Sequence, residues 1–302
     1  MRLFLRHILL LAGIIIATGV IAGCPIPDLY RGASFFHFYG DGKFKSTKIR
    51  VYYYIPMEGD IQNMKVQFVM HGVNRNADDY CASWQSKAEQ YGLIILAPMF
   101  DKNKFPSAMY QQGNVCSNGI LNYEEEMTYS IIDAIFKAFV QKYNIADQTY
   151  NIYGHSAGAQ FVHRFVLFYN TPYLDKAVAA NAGSYTFISN KQDFPFGYRN
   201  LGGLSAVSKK VFRKKLIVFL AEGDTIQDSH LNVSTEANKQ GYNRFDRGNN
   251  FFKSAENYAT RKKISFEWQL LTLPNAAHSN RRMAPAAADI LYAKPKRAIE
   301  LP

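Results

Sequence analysis

The stretch that most constrains this chain is residues 149–158, where a run of β-forming residues stops at Gly154 and a helical pattern starts near Ala159. Between them stands Gly-His-Ser-Ala-Gly, with Ser156 at its centre. A strand that turns into a helix within so few residues strains the central residue, and only small residues on either side let the strand and helix approach. The pattern therefore predicts a serine hydroxyl exposed at the end of a sheet, at the positive end of a helix.

The rest of the chain alternates strand and helix patterns. Continuous apolar runs, typical of parallel strands covered on both faces, occur at residues 93–98 and 215–221. Further strands are predicted at 48–56, 64–70, 176–181 and 265–273, and helices at 78–91, 123–143, 249–259 and 283–293. With 302 residues, 48% of them hydrophobic, the chain can form one large α/β domain. We expect a mostly parallel sheet with helices on both faces.

The N-terminus has the pattern of an export signal. Two arginines precede an uncharged apolar run at residues 8–21, which is short for a transmembrane helix. The run ends in Val-Ile-Ala-Gly-Cys, which resembles the bacterial lipobox. That resemblance implies cleavage before Cys24 and acylation, with palmitate among the expected chains. A plain signal peptide or an uncleaved anchor is the alternative. Pro25 follows in place of Asp, which by the enteric sorting rule implies the outer membrane.

Two further cysteines, Cys81 and Cys116, remain once Cys24 carries lipid. An exported protein meets oxidising conditions, and an even remainder favours a disulfide between them. Closing that loop would stabilise the fold by roughly 3–4 kcal/mol on the chain-entropy model. Two free buried thiols are the alternative.

Charge indicates which partners to expect. The formal net charge is +11, but the basic residues are scattered and no nucleic-acid fold signature accompanies them. We therefore expect a surface facing anionic lipid or cell-envelope polymer, and no nucleic acid. Three glutamates, 124–126, open a predicted helix, where negative charge suits the helix dipole. Adjacent helix positions do not share a face, so no metal site is predicted there.

A serine nucleophile needs a base, and the base needs an acid to orient it. Functional groups of open α/β sheets gather outside the carboxyl ends of strands. Asp224 follows the strand at 215–221, and His278 follows the strand at 265–273. We therefore predict Ser156, Asp224 and His278 as nucleophile, acid and base. The rivals on the loop after that first strand are Glu222, Asp228 and His230.

The oxyanion of an acyl-transfer intermediate needs hydrogen-bond donors. One predicted donor is the backbone N–H of Ala157, directly after the nucleophile. The other is predicted in the turn after the strand at 64–70, with the N–H of Val73 first and Asn74 second. Gly72 would let that turn approach a substrate closely.

These stretches together resemble exported α/β-hydrolases related to polyhydroxyalkanoate depolymerases and feruloyl esterases. The similarity lies in residues 70–73, 153–164, 179–186, 221–225 and 274–283. It implies the α/β-hydrolase fold, the three catalytic roles just named, and ester hydrolysis without a cofactor. The predicted organisation is a signal peptide at 1–23, a tether at 24–45 and one catalytic domain at 46–302.

Two other functions stay open at this point. The chain could be a non-catalytic envelope binding protein on a hydrolase scaffold, or a serine peptidase or amidase. An aromatic-rich insert at residues 183–213 is either a lid or acyl-pocket wall, or a small separate core beneath a loop.

Overall fold

The fold was analysed in a computed structural model, which describes residues 26–204 and 208–294. An eight-stranded sheet runs in the order β1-β2-β4-β3-β7-β8-β9-β10, and β5 and β6 form a separate hairpin. The strands are β1 Gly32–Tyr39, β2 Lys48–Ile55, β3 Lys65–Met70, β4 Leu93–Met99, β5 Cys116–Ser117, β6 Ile120–Leu121, β7 Tyr150–His155, β8 Leu174–Ala180, β9 Lys215–Ala221 and β10 Gln269–Leu273. From β4 to β10 the neighbours in the sheet are parallel, whereas β2 is antiparallel to both β1 and β4.

Helices cover both faces of this sheet. They are α1 Ala77–Ala82, α2 Gln85–Tyr91, α3 Ser130–Tyr143, α4 Ala157–Phe168, α5 Thr235–Asn238, α6 Arg244–Arg261 and α7 Asn280–Tyr292. One apolar core joins the sheet to α1, α2 and α7, and the other joins it to α3, α4 and α6. The central strands supply alternate residues to the two cores, which explains their continuous apolar sequence. The predicted mostly parallel sheet with helices on both faces is confirmed.

The predicted tether at 24–45 is wrong for residues 32–39, which form β1. This strand pairs along its whole length with β2 and buries Phe36 and Phe38. Its sequence carries aromatic residues on both faces, and Phe35 is exposed, so the alternation of apolar and polar residues that would predict a strand is missing. Just before β1, the backbone N–H of Leu29 donates to Tyr143 Oη at 2.8 Å, at the C-terminal end of α3. The folded domain therefore begins earlier than predicted.

Two predicted helices are interrupted in the structure. The pattern at 78–91 forms α1 and α2, which are separated at Ser83 and Trp84. The pattern at 123–143 begins with a 3₁₀ turn, Glu124–Glu126, and α3 starts only at Ser130. The last predicted strand is also shorter, since β10 begins at Gln269. Across the described residues, no helix has the length and apolar character needed to span a membrane.

The predicted disulfide between Cys81 and Cys116 is wrong, because both cysteines are free. Cys81 lies on α1 and is buried in the core that α1 shares with α7. Cys116 lies on β5 and packs against the opposite core. The sheet therefore separates the two sulfurs, and burial raises the pKa of the Cys81 thiol to about 12. The predicted signal peptide and Cys24 lie outside the described residues.

Candidate active site

The turn around Ser156 has the strained geometry that its sequence predicts. Ser156 lies between β7 and α4 with φ 57° and ψ −115°, outside the regions that a serine ordinarily adopts. A Cβ on Gly154 would lie 2.2 Å from the Gly158 carbonyl oxygen, and one on Gly158 would lie 2.1 Å from the Met70 carbonyl oxygen. Strand, helix and neighbouring strand therefore approach too closely for any side chain at either position. The serine is half-buried at the carboxyl end of this central strand.

The predicted acid and base are in contact. His278 Nδ1 lies 2.6 Å from Asp224 Oδ2, and the carboxylate is buried. Strands β9 and β10 are parallel neighbours, so the loops that follow them meet at the same edge of the sheet. With Nδ1 donating to the carboxylate, the neutral ring presents the lone pair of Nε2. His278 and Ser156 line the same cleft.

A buried arginine separates the tasks of Asp224 and Asp228. Arg244 donates from Nη1 and Nη2 to the two carboxylate oxygens of Asp228, at 2.8 Å each. Its Nη1 also lies 3.5 Å from Asp224 Oδ1. Hydrogen bonding from Arg244 lowers the pKa of Asp228 to about 2. Asp228 thus pairs with the arginine, and Asp224 is the carboxylate that contacts the histidine.

The other rivals do not join this contact. His230 is exposed and lines the cleft, and its backbone N–H donates to Asp228 Oδ1 at 2.9 Å. Glu222 accepts a hydrogen bond from Thr272 Oγ1 at 2.7 Å. Among the described residues, the structure brings His278, and not His230, to Asp224.

The turn after β3 is held rigidly beside Ser156. Gly72, Val73 and Asn74 line the cleft, and Ala157 is buried as the first residue of α4. His71 fixes the start of the turn, because its Nδ1 donates to the Gly72 carbonyl at 3.0 Å and its Nε2 accepts from the Phe100 N–H at 3.1 Å. Burial lowers the pKa of His71 to about 3, so the ring is neutral. A turn held in this way suits fixed hydrogen-bond donors.

Solved structures show the relationships of this fold. Poly(aspartic acid) hydrolase-1 from Sphingomonas sp. KT-1 is 33% identical over 87% of this chain and 99% of that chain, with a TM-score of 0.80. The chain belongs to the α/β-hydrolase family. The poly(3-hydroxybutyrate) depolymerase LpqC from Bordetella parapertussis matches with 24% identity, 89% and 92% coverage and a TM-score of 0.81. An S-formylglutathione hydrolase from Agrobacterium tumefaciens shares 13% identity over 90% and 96%, with a TM-score of 0.54. These last two show the fold alone. Neither the protein-family models nor the curated protein sequences gave a match.

The cleft of this α/β-hydrolase has a volume of about 340 Å³ and a largely polar wall. Next to the predicted oxyanion turn, α1 and the residue before it contribute Asn76, Asp79 and Tyr80. The start of α7 contributes Asn280 and Arg281. The sequence analysis missed these residues, because nothing in the local pattern distinguishes a polar residue at a cleft from one facing solvent.

The described part of the aromatic insert does not form the small separate core that was one alternative, because its buried side chains belong to the core that the sheet shares with α3, α4 and α6. Tyr185 is fully buried and stacks on Phe251 of α6, with ring centroids 4.6 Å apart. The N–H of Thr186 donates to buried His163 Nε2 at 3.1 Å, which ties the insert to α4. None of the insert's described residues lines the cleft. The described part of the insert therefore supports the fold and does not form a wall of the cleft.

Proposed function

We propose that this α/β-hydrolase is a serine-dependent carboxylic ester hydrolase that works through an acyl-enzyme. Ser156 is the nucleophile, His278 the general base, and Asp224 the carboxylate that orients the base. The observation that carries the proposal is the 2.6 Å contact between His278 Nδ1 and Asp224 Oδ2 in the cleft that also contains Ser156. The hydrolase fold supports the same reaction class.

In this mechanism, Ser156 Oγ attacks the ester carbonyl while its proton moves to His278 Nε2. Asp224 stabilises the imidazolium that results. The backbone N–H groups of Val73 and Ala157 donate to the oxyanion, and losing one such donor typically costs about 2.7–4 kcal/mol of transition-state stabilisation. His278 then protonates the leaving alcohol. Water, deprotonated by the same histidine, releases the acid and restores Ser156.

Replacement of the serine tests this proposal. Ser156→Ala should abolish hydrolysis of p-nitrophenyl esters and labelling by a fluorophosphonate, while the fold survives. Ser265→Ala, at an exposed serine, is the matched control and should label and turn over like the wild type. Turnover of Ser156→Ala above about a tenth of the wild type would contradict the assignment, since the nucleophile typically supplies several orders of magnitude. A wild-type protein that resists labelling would instead favour the non-catalytic binding protein.

Amide hydrolysis is the second candidate, favoured by the 33% identical hydrolase whose name refers to poly(aspartic acid). The same acyl-enzyme serves amides if His278 protonates the leaving nitrogen. Matched ester and amide substrates, together with soluble poly(aspartic acid), separate the candidates. Turnover of the amides or of poly(aspartic acid) by the wild type, lost in Ser156→Ala, would make this protein an amidase or peptidase. If the esters are the substrates, a series of p-nitrophenyl esters with acyl chains of graded length would define the preferred acyl group.

We further propose that the enzyme is attached to the bacterial envelope, in the outer membrane, through lipid on Cys24. The sequence before Cys24 supports this location, and several acyl chains on one residue would anchor it stably at about 0.8 kcal/mol per buried CH₂. Its substrate would then be a small ester or an ester of the envelope or the surrounding medium, and not a nucleic acid. Palmitate labelling should mark the wild type but not Cys24→Ser. Labelling of the mutant would contradict the anchor.

A further inference from the structure

His155, the residue before the proposed nucleophile, lies against the proposed base. The ring centroids of His155 and His278 are 4.5 Å apart, with 35° between the ring planes. The His155 side chain is buried and has almost no contact with solvent. At this separation, the face of an aromatic ring can stabilise a neighbouring cation. In the proposed reaction such a cation forms on His278.

The His155 ring is suited to this task because it stays neutral. Burial, followed by the positive charges of His278 and Arg244, holds the pKa of His155 well below its usual range. Its Nε2 has no hydrogen-bond partner among the described residues, and its Nδ1 lies 3.1 Å from Tyr80 Oη. A neutral ring offers its π face to the imidazolium without adding a second positive charge.

Tyr80 fixes the orientation of that ring. Tyr80 is 7% exposed and lies on α1, at the side of the cleft. Its hydroxyl also contacts the predicted oxyanion turn so closely that a Cβ on Gly72 would lie 2.6 Å from Oη. One hydroxyl therefore lies between the turn that would bind the oxyanion and the ring that supports the base.

We propose that His155 is a positioning residue of the hydrolytic reaction, whose neutral ring supports the imidazolium of His278 and whose orientation is set by Tyr80. The inference rests on the proposed function. During acyl-enzyme formation, the proton of Ser156 Oγ moves to His278 Nε2 and then to the leaving group. His155 neither gains nor loses a proton.

Other charged and titratable groups also surround His278. Asp224 accepts its Nδ1–H, and Arg244 lies behind that carboxylate. Asp228 and His230 lie on the loop after β9, and the cleft adds three groups from other elements: Asp79, Tyr80 and Arg281. All of these groups are retained when His155 is replaced. A change in the titration of His278 between His155 variants therefore reports on the ring itself.

The test is a side-chain NMR titration of His278, assigned by the signal lost in His278→Gln. His155→Leu and His155→Met remove the aromatic face, and His155→Phe restores it. The non-aromatic variants should move the titration midpoint of His278 down by about half a pH unit, and His155→Phe should return most of that shift. The acid limb of kcat/KM should move in parallel, with turnover about 3- to 10-fold lower in the non-aromatic variants.

An unchanged titration midpoint in a folded His155→Leu or His155→Met protein would overturn the inference, even if turnover falls. A shift in His155→Phe as large as that in His155→Leu would overturn it too. The midpoint is measured without turnover, so the failure of the proposed function is recognised separately, by the absence of hydrolysis and fluorophosphonate labelling in the wild type. Tyr80→Phe should lower turnover and shift the His278 midpoint less than His155→Leu does, because the His155 ring remains but loses its hydrogen bond.

Discussion

Arg244 donates to both carboxylate oxygens of Asp228, at 2.8 Å each, while one of the same nitrogens lies 3.5 Å from Asp224. Bidentate pairs of this kind fix geometry as well as charge. Asp228 offsets much of the positive charge of the buried guanidinium, so Asp224 remains available to His278. Two carboxylates four residues apart on one loop thus have different partners.

Exchanging the two carboxylates for amides should have unequal effects. Asp224→Asn should lower kcat by roughly 10²–10⁴-fold, because an amide favours the wrong tautomer of His278 and does not stabilise its cation. Asp228→Asn is the comparison and should cost less, because Asp224 keeps its contact with His278 and the amide oxygen can still accept from Arg244. Steady-state kinetics on a p-nitrophenyl ester measures both. If Asp228→Asn were the damaging change, the orienting carboxylate would have to be reassigned.

The Arg244–Asp228 pair should contribute to stability in a defined pH window. The pKa of Asp228 is lowered to about 2 by Arg244, whereas an unfolded Asp titrates at about 3.9. A depressed carboxyl pKa stabilises the fold above the unfolded value, and that contribution is lost as pH falls through the folded value. The wild type should therefore exceed Asp228→Asn in urea midpoint above about pH 4, and the difference should shrink towards about pH 2. A difference that does not vary with pH would contradict this.

Gly158→Ala should destabilise the fold, because its Cβ would meet a backbone atom that cannot rotate away. The Met70 carbonyl oxygen would lie 2.1 Å from that Cβ. We expect a loss of about 1–3 kcal/mol, or a melting temperature lower by about 2–10 °C. Gly183→Ala is the control, since its Cβ would meet only the end of the Gln160 side chain, at 3.3 Å. Equal melting temperatures for the two variants would contradict the close packing.

The cysteines should behave as separate thiols. Dithiothreitol should leave the melting temperature unchanged, because Cys81 and Cys116 are unbonded. In the native protein, an alkylating reagent should modify half-buried Cys116 first, since burial raises the pKa of Cys81 to about 12. Peptide mass spectrometry measures each site. A peptide that joins the two cysteines, or a lower melting temperature after reduction, would contradict the structure.

The sequence predicts most of the sheet because its central strands are continuous apolar runs. It also predicts the turn at Ser156, since the two glycines leave few conformations for the backbone there. The edge strand β1 was missed because its pairing with β2, and not its own pattern, determines its structure. The start of α3 was placed too early for a similar reason, as helical spacing does not reveal where a 3₁₀ turn gives way to a helix.

The candidate site could be predicted where chain order determines position. Asp224 and His278 follow parallel strands, which made their contact predictable. Arg244 could not be predicted as their neighbour, because a basic residue at the start of a helix is usually solvated. Tyr80 could not be connected with His155 either, since 75 residues and a whole strand–helix unit separate them. The disulfide prediction failed because counting cysteines does not show which face of a sheet each one occupies.

The contact of Leu29 with the end of α3 decides how an anchored enzyme would face its surroundings. That end of α3 leads into the start of β7, whereas Ser156 follows the last residue of β7, about 20 Å farther along the strand. A lipid anchor on Cys24, five residues before Leu29, would therefore join the described domain on the side opposite the cleft. The mouth of the enzyme would open outward from the bilayer, towards diffusing molecules, and the membrane's own lipids would lie behind it.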